Sequence, residues 1–446
     1  MKRSPWRYLW TSIDIRRKLL ITVLILAIYR LASHVPVPGA DQEVIRSILA
    51  GGGATGTLVG LLDLLSGGTV SRFSVMAMGV YPYITAQIIL QLLVPIIPAL
   101  QNRMKEDPRE GQKWMEKWTY ILAVPMAALN AIGQINIFSS IAGVQVIKDF
   151  GWTASTWLPS LTIILSMTAG TMFAIWLGEL ISEYGIRNQG LSLIIFAGIV
   201  SRIPTTFQAI LADRERWYIS MVVMLVLTVA TIFAIVVVQQ GRRNVPVMYP
   251  GRRVGSRMSM PVRGTLPLMV NMAGMIPIIF AQSLLTFPAI IASFFARVST
   301  PWVVNLAAEI QRIFGGSSNA YWILYFFMVV GFSFFYTDVL FAQQNYGENL
   351  KRVGAQIPGV SRGAPTQRYL TKVLRRITLP GALFLGVVAI LPWLVGLVYT
   401  PFSGSAGSLL INSAGLLIVV GVVRDTFFNI EAELKIHGYE ESLLVR

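Results

Sequence analysis

The sequence contains no cysteine and only two histidines, His34 and His437, among its 446 residues. Disulfides and thiol catalysis are therefore excluded, and no His/Cys constellation exists to hold a metal. Charge is scarce as well: 13% of the residues are charged, against roughly 25% in a soluble globular domain. Residues 264–296 and 377–423 hold no Asp, Glu, Lys, Arg or His at all. Proton- and ion-coupled transporters usually place ionisable groups or broken-helix sites at mid-membrane. The ionisable residues Arg30, Glu179, Glu183 and Asp338 instead lie near predicted helix ends, where side chains snorkel toward water. The sequence also lacks a Walker A string, a His-Glu zinc motif and a nucleophile triad, so it offers no enzyme chemistry and calls for no cofactor.

What is present is apolar. Hydrophobic residues make up 54% of the chain, and the mean hydropathy is +0.62. Runs of about 20 apolar residues are long enough to cross a hydrocarbon core of roughly 30 Å. They are continuous rather than alternating and far exceed the ~10-residue strands of a membrane barrel, so helices satisfy the backbone. The amino end, residues 1–20, is basic and leads into LLITVLILAIYRLA, which reads as a retained first helix rather than a cleaved signal. Further spans are predicted near 75–98, 118–138, 158–181, 190–208, 217–239, 265–295, 320–342, 375–397 and 408–428. Ten helices put both termini on one side.

The net charge of +16 follows the same topology. Arg103, Lys105, Arg109, Lys113 and Lys117 occupy one loop, and residues 240–264 hold six arginines and no acid. Residues 344–376 carry seven basic side chains against Glu348 alone, whereas 139–157 and 399–407 are nearly neutral. The basic loops are thus expected in the cytoplasm, with both termini. The chain reads as one polytopic membrane domain, with residues 1–208 and 217–428 as two five-helix halves of inverted sense and 429–446 as a cytosolic tail. One segment breaks the pattern. GTLVGLLDLLSGG, residues 56–68, is too short to span and ends in glycines, so it is either a re-entrant helix or an interfacial one. Composition alone leaves channel, transporter and membrane scaffold open.

Several blocks, in order along nearly the whole chain, narrow that choice. They are YRLASHVPVPG (29–39), LLSGGTVSRFSVMAMGVYPYITAQIILQLL (64–93), AGTMFAIWLGELISEYGIRNQGLSLIIFAGIVSRIP (169–204) and LPLMVNMAGMIPIIFAQSLLTFPAIIASFF (266–295). ENLKRVGAQIPGVSRGAPTQRYLTKVLRRITLPGA (348–382) and GLLIVVGVVRDTFFNIEAEL (415–434) complete the set. Together they resemble the SecY family of pore-forming protein-translocation subunits. The resemblance implies a clamshell of two five-helix halves, an hourglass pore with an apolar waist, a short plug helix and a lateral gate opening to lipid. The implied function is conduction of unfolded polypeptides across the plasma membrane of a prokaryote and release of transmembrane segments into lipid. A secondary transporter or lipid flippase is the competing reading. The implied partners are SecE, SecG, SecA, the ribosome with its RNA, signal sequences, nascent polypeptides and membrane lipids.

Carried over by position, the pore ring falls on Val80, Ile84, Leu191, Ile195, Ile279 and Ile418, and the plug on Leu58, Val59, Leu61, Leu62 and Leu64. The lateral gate falls on Thr85, Asn130 and Asn271, expected in helices 2, 3 and 7. The SecA or ribosome contacts fall on Arg242, Arg243, Arg252, Arg253, Arg257 and Arg362. Two departures stand out. The loop Pro358-Gly359-Val360-Ser361-Arg362-Gly363 carries its arginine one place later than the family's usual order, and the turn GIRNQGLS is one residue longer.

Overall fold

The computed structural model describes residues 12–41, 73–98, 107–142, 156–201, 217–250, 262–295, 300–314, 318–399 and 413–436, with a few short pieces between them. The helices are α1 (Ile13–Ala32), α2 (Tyr81–Ile96), α3 (Pro108–Ala142), α4 (Trp157–Tyr184), α5 (Gly190–Val200) and α6 (Trp217–Gln240). After a β-hairpin come α7 (Ile276–Phe295), α8 (Pro301–Phe314), α9 (Asn319–Gln344), α10 (Tyr346–Arg352), α11 (Ala364–Tyr399) and α12 (Ser413–Ile436). Six of these, α3, α4, α6, α7, α9 and α11, contain stretches long and apolar enough to cross a membrane. With α1, α2, α5 and α12 they follow the order of the ten expected spans, so the fold is that of a helical membrane protein.

Local chemistry sets several boundaries. Asp107 caps α3, its Oδ1 accepting from the backbone N–H of Arg109 at 3.0 Å and of Glu110 at 3.2 Å. Ser318 caps α9 by accepting from Ala320 N–H at 3.2 Å, and Asn345 ends that helix in the left-handed region. α4 and α5 cross so closely that a Cβ on Gly190 would overlap the carbonyl oxygen of Gly178. Glycine is what permits that crossing. The Ser182 hydroxyl ties the same corner, accepting from Gly190 N–H at 3.1 Å.

Three boundaries differ from expectation. Residues 73–80 form turns rather than helix, and α2 starts at Tyr81, where Pro82 suits a first helical turn. α5 closes at Val200, short of the expected 208. The run 265–295 begins as a strand, turns through Gly274 at φ 63°, and becomes helix only at Ile276.

The arginine-rich segment 240–264, expected as a loop, is largely an antiparallel hairpin of β1 (Arg242–Tyr249) and β4 (Val262–Met269). At its tip β2 (Arg253–Val254) pairs with β3 (Arg257–Met258). Val245 and Val247 alternate inward with the pleat, and Leu268 joins them. They bury against Leu350, Ala355, Ile357, Leu370 and Leu374, from α10, the loop after it and the start of α11. The two basic segments are therefore one body. Met248 and Gln356 exchange backbone hydrogen bonds of 2.8 and 2.9 Å, adding the late loop to the edge of β1.

The main core is a single buried cluster drawn from α1, α2, α3, α4, α5, α6, α7, α9, α11 and α12, so it joins residues from both halves of the chain. The end of α12 also reaches the first half, where Lys18 pairs with Glu433 and Asn429 Nδ2 donates to the Arg187 carbonyl at 3.3 Å. In contrast, α6 buries only 17% of its apolar span and shows Val222, Val226, Val229 and Phe233 outward. A face of that composition suits lipid rather than water.

Candidate functional site

All six pore-ring candidates belong to the main core cluster. Val80, Ile195, Ile279 and Ile418 are buried, while Ile84 and Leu191 are half-buried and pack against it. They come from four elements. Val80 is the residue capping α2, Ile84 lies in the first turn of that helix, Leu191 and Ile195 stand one turn apart on α5, and Ile279 and Ile418 lie within the first two turns of α7 and α12. Leu191 also leans on α4, where a Cβ on Gly178 would meet its Cδ2 at 2.7 Å. The group is wholly aliphatic, so it gives water no hydrogen-bond partner.

The three gate candidates are all buried, and each hydrogen-bonds locally. The Thr85 hydroxyl donates to Tyr81 O at 3.0 Å, Asn130 Nδ2 to Met126 O at 2.9 Å and Asn271 Nδ2 to Gly274 O at 3.1 Å. Asn271 sits in the turn before α7, not in a helix, because β4 and Gly274 hold the chain extended up to that point. No hydrogen bond joins the three to one another among the described residues. The polar link across α2 and α7 is made by a residue the sequence reading passed over: Tyr81, whose hydroxyl donates to the Ser283 carbonyl at 3.4 Å. Tyr321 and Tyr325 of α9 are stacked, 5.8 Å between ring centroids, in the same core. The repeated tyrosines of YPYIT and AYWILY were the available signal.

The plug candidates Leu58, Val59, Leu61, Leu62 and Leu64 lie outside the described residues, as does Arg252. Of the remaining docking candidates, Arg242 and Arg243 are exposed at the base of the hairpin, whereas the backbones of Arg253 and Arg257 place them at its tip. Strands of eight residues separate the two groups by about 25 Å. Arg362 is exposed, and its Nε donates to Gln356 Oε1 at 3.2 Å. Since Gln356 is bonded to Met248, the displaced arginine stands beside the hairpin.

Known proteins share this sequence and arrangement. The SecY family profile matches residues 74–427. Protein translocase subunit SecY of Streptomyces galbus is 34% identical over 438 residues, covering 96% of each chain. That of Aquifex aeolicus is 37% identical over 428 residues, covering 94% of this chain and 95% of its own. Among solved structures, a protein-conducting channel superposes with a TM-score of 0.63 at 17% identity, covering 95% of this chain and 93% of its own. The channel of a canine ribosome–channel complex superposes with a TM-score of 0.59 at 16% identity over the same shares. On the extent and level of these matches, the chain belongs to the SecY family.

Proposed function

We propose that this chain is the central pore-forming subunit of a protein-translocation channel in a prokaryotic plasma membrane, with both termini cytoplasmic. The observation that carries the reading is the convergence of six aliphatic side chains from α2, α5, α7 and α12 on one buried cluster. In a chain whose relatives are named protein translocase subunits, that convergence supports an apolar ring that seals against ions and yields to a polypeptide. Residues 56–68 act as the plug. The halves 1–208 and 217–428 part at α2 and α7, where Thr85, Asn130 and Asn271 line the gate with Tyr81.

The cytosolic hairpin and the loop of Arg362 form the docking platform for SecA or the ribosome. The canine neighbour was solved as part of a ribosome–channel complex, which supports the second partner. SecE and SecG are the expected membrane partners, and the channel itself performs no covalent chemistry.

The test is translocation by proteoliposomes containing the purified chain with its co-purifying subunits, using one reporter behind signal sequences of graded leucine content. Wild type should transport all of them. Asn130→Leu with Asn271→Leu should strengthen apolar contact across the gate, so weak signals fail before strong ones. A uniform loss, or none, would reject the gate assignment, and no transport by wild type would reject the channel. Accumulation of a small solute in the same vesicles would favour a transporter.

A further inference from the structure

A groove of about 640 Å³ opens where the cytosolic end of α9 meets the early turns of α11. Arg368, Lys372, Arg375 and Arg376 line it, together with Phe334 and Leu379. Lys372 follows Arg368 by four residues, and Arg375 and Arg376 follow Lys372 by three and four, so all four reach the groove from one side of α11. From Arg368 to Leu379 that face extends about 16 Å. Asp338 of α9 takes Arg375 alone, with Nη2 at 2.8 Å and Nε at 3.2 Å from its Oδ2. Arg368, Lys372 and Arg376 are exposed and form no ion pair among the described residues. The groove thus keeps three cations in excess.

Its floor has the opposite character. α9 and α11 run antiparallel, so Phe334 lies one turn deeper than Asp338 on one wall, and Leu379 one turn deeper than Arg375 on the other. Below them Leu383 and Val387 continue the exposed face of α11, and no Asp, Glu, Lys, Arg or His follows Arg376 until Arg424. Cations therefore end and hydrocarbon begins within a single turn of helix, at the level where the cytosolic leaflet must lie.

We propose that this groove is a binding site for an anionic phospholipid of the cytosolic leaflet. Its phosphate and headgroup are held by Arg368, Lys372 and Arg376, and an acyl chain lies along Phe334, Leu379 and Leu383. Free phosphate would use only the rim. RNA or an acidic protein would leave the apolar floor unmatched, whereas a lipid matches both levels in the order they occur.

The experiment is native mass spectrometry of the purified chain, with its co-purifying subunits, titrated with dioleoyl phosphatidylglycerol or dioleoyl phosphatidylcholine. Phosphatidylglycerol should bind more tightly than phosphatidylcholine, and R368Q/K372Q/R376Q should weaken it roughly tenfold or more while leaving phosphatidylcholine unchanged. Excess inorganic phosphate should not displace the lipid. R368K/K372R/R376K, which retains the charge, should bind as wild type, and D338N, which frees Arg375, should bind about twofold more tightly. The last two variants keep the test decisive if the triple glutamine protein folds poorly. The proposal is overturned by equal affinity for both lipids, by unchanged binding in the triple glutamine variant, or by full displacement with phosphate. Loss of ribosome binding with intact lipid binding in that variant would reassign the groove to a macromolecular partner.

Discussion

A methyl group on Gly190 has nowhere to go, because the Gly178 carbonyl already fills its space. Gly190→Ala should therefore push α5 away from α4, cost about 1–3 kcal/mol, and lower the thermal unfolding midpoint of the detergent-purified protein. An unchanged midpoint would mean that the crossing relaxes freely. At the ring the expectation is functional rather than structural. Ile84→Asn, Ile195→Asn or Ile279→Asn puts a polar group into the aliphatic cluster and should favour wetting. Resting ion conductance in planar bilayers should rise, and unchanged conductance in all three would reject the ring. These positions were legible only through resemblance to a family, since an aliphatic residue in an apolar span carries no mark of facing a pore. Tyr81 was less legible still: its link to Ser283 joins residues 202 positions apart, a pairing only the assembled helices reveal.

Element boundaries were legible where charge or capping marked them and lost where apolar runs continued. α3 and α11 both begin well before their predicted apolar spans, because helix continues through charged residues such as Lys113 and Arg368. The run 265–295 hides its change from strand to helix, since Leu266 and Leu268 are as apolar as the helix that follows. The hairpin was obscured by its own arginines, which read as a solvated loop, although Val245 and Val247 carry the alternation of a half-buried strand. α8 was missed because Asn305, Glu309 and Arg312 dilute a run of only 14 residues. The hairpin also specifies how docking should behave. Replacing Arg252 and Arg253 with Glu reverses charge in its tip region, 252 and 253 being flanked by β1 and β3. Ribosome or SecA affinity should fall at low salt, and the difference from wild type should shrink as ionic strength rises and the Debye length contracts to a few Å. Equal affinity for both partners at low salt would leave these arginines with a topological role only.

At the scale of the molecule, the order of the ten long spans and the family followed from composition and six motif blocks. How ten helices converge did not, because packing in a membrane is set by shape and small residues rather than by hydrophobic period. Gly170 against the backbone of Val75 and Gly386 against Phe326 are contacts of that kind. The resulting core spans both halves of the chain, and α12 is clasped to α1 through Lys18 and Glu433; on the proposed function, a path opens through this core by separation of α2 from α7. The central claim is that a polypeptide passes through the aliphatic cluster. It is tested most directly by placing a photocrosslinking amino acid at Ile279 and arresting a secretory precursor midway through reconstituted vesicles. The same crosslinker at Phe327, which is 65% exposed on the outer face of α9, provides the control. The account predicts an adduct with the arrested chain from position 279, dependent on a functional signal sequence, and none from position 327. Adducts of equal yield from both positions, or from neither, would contradict it.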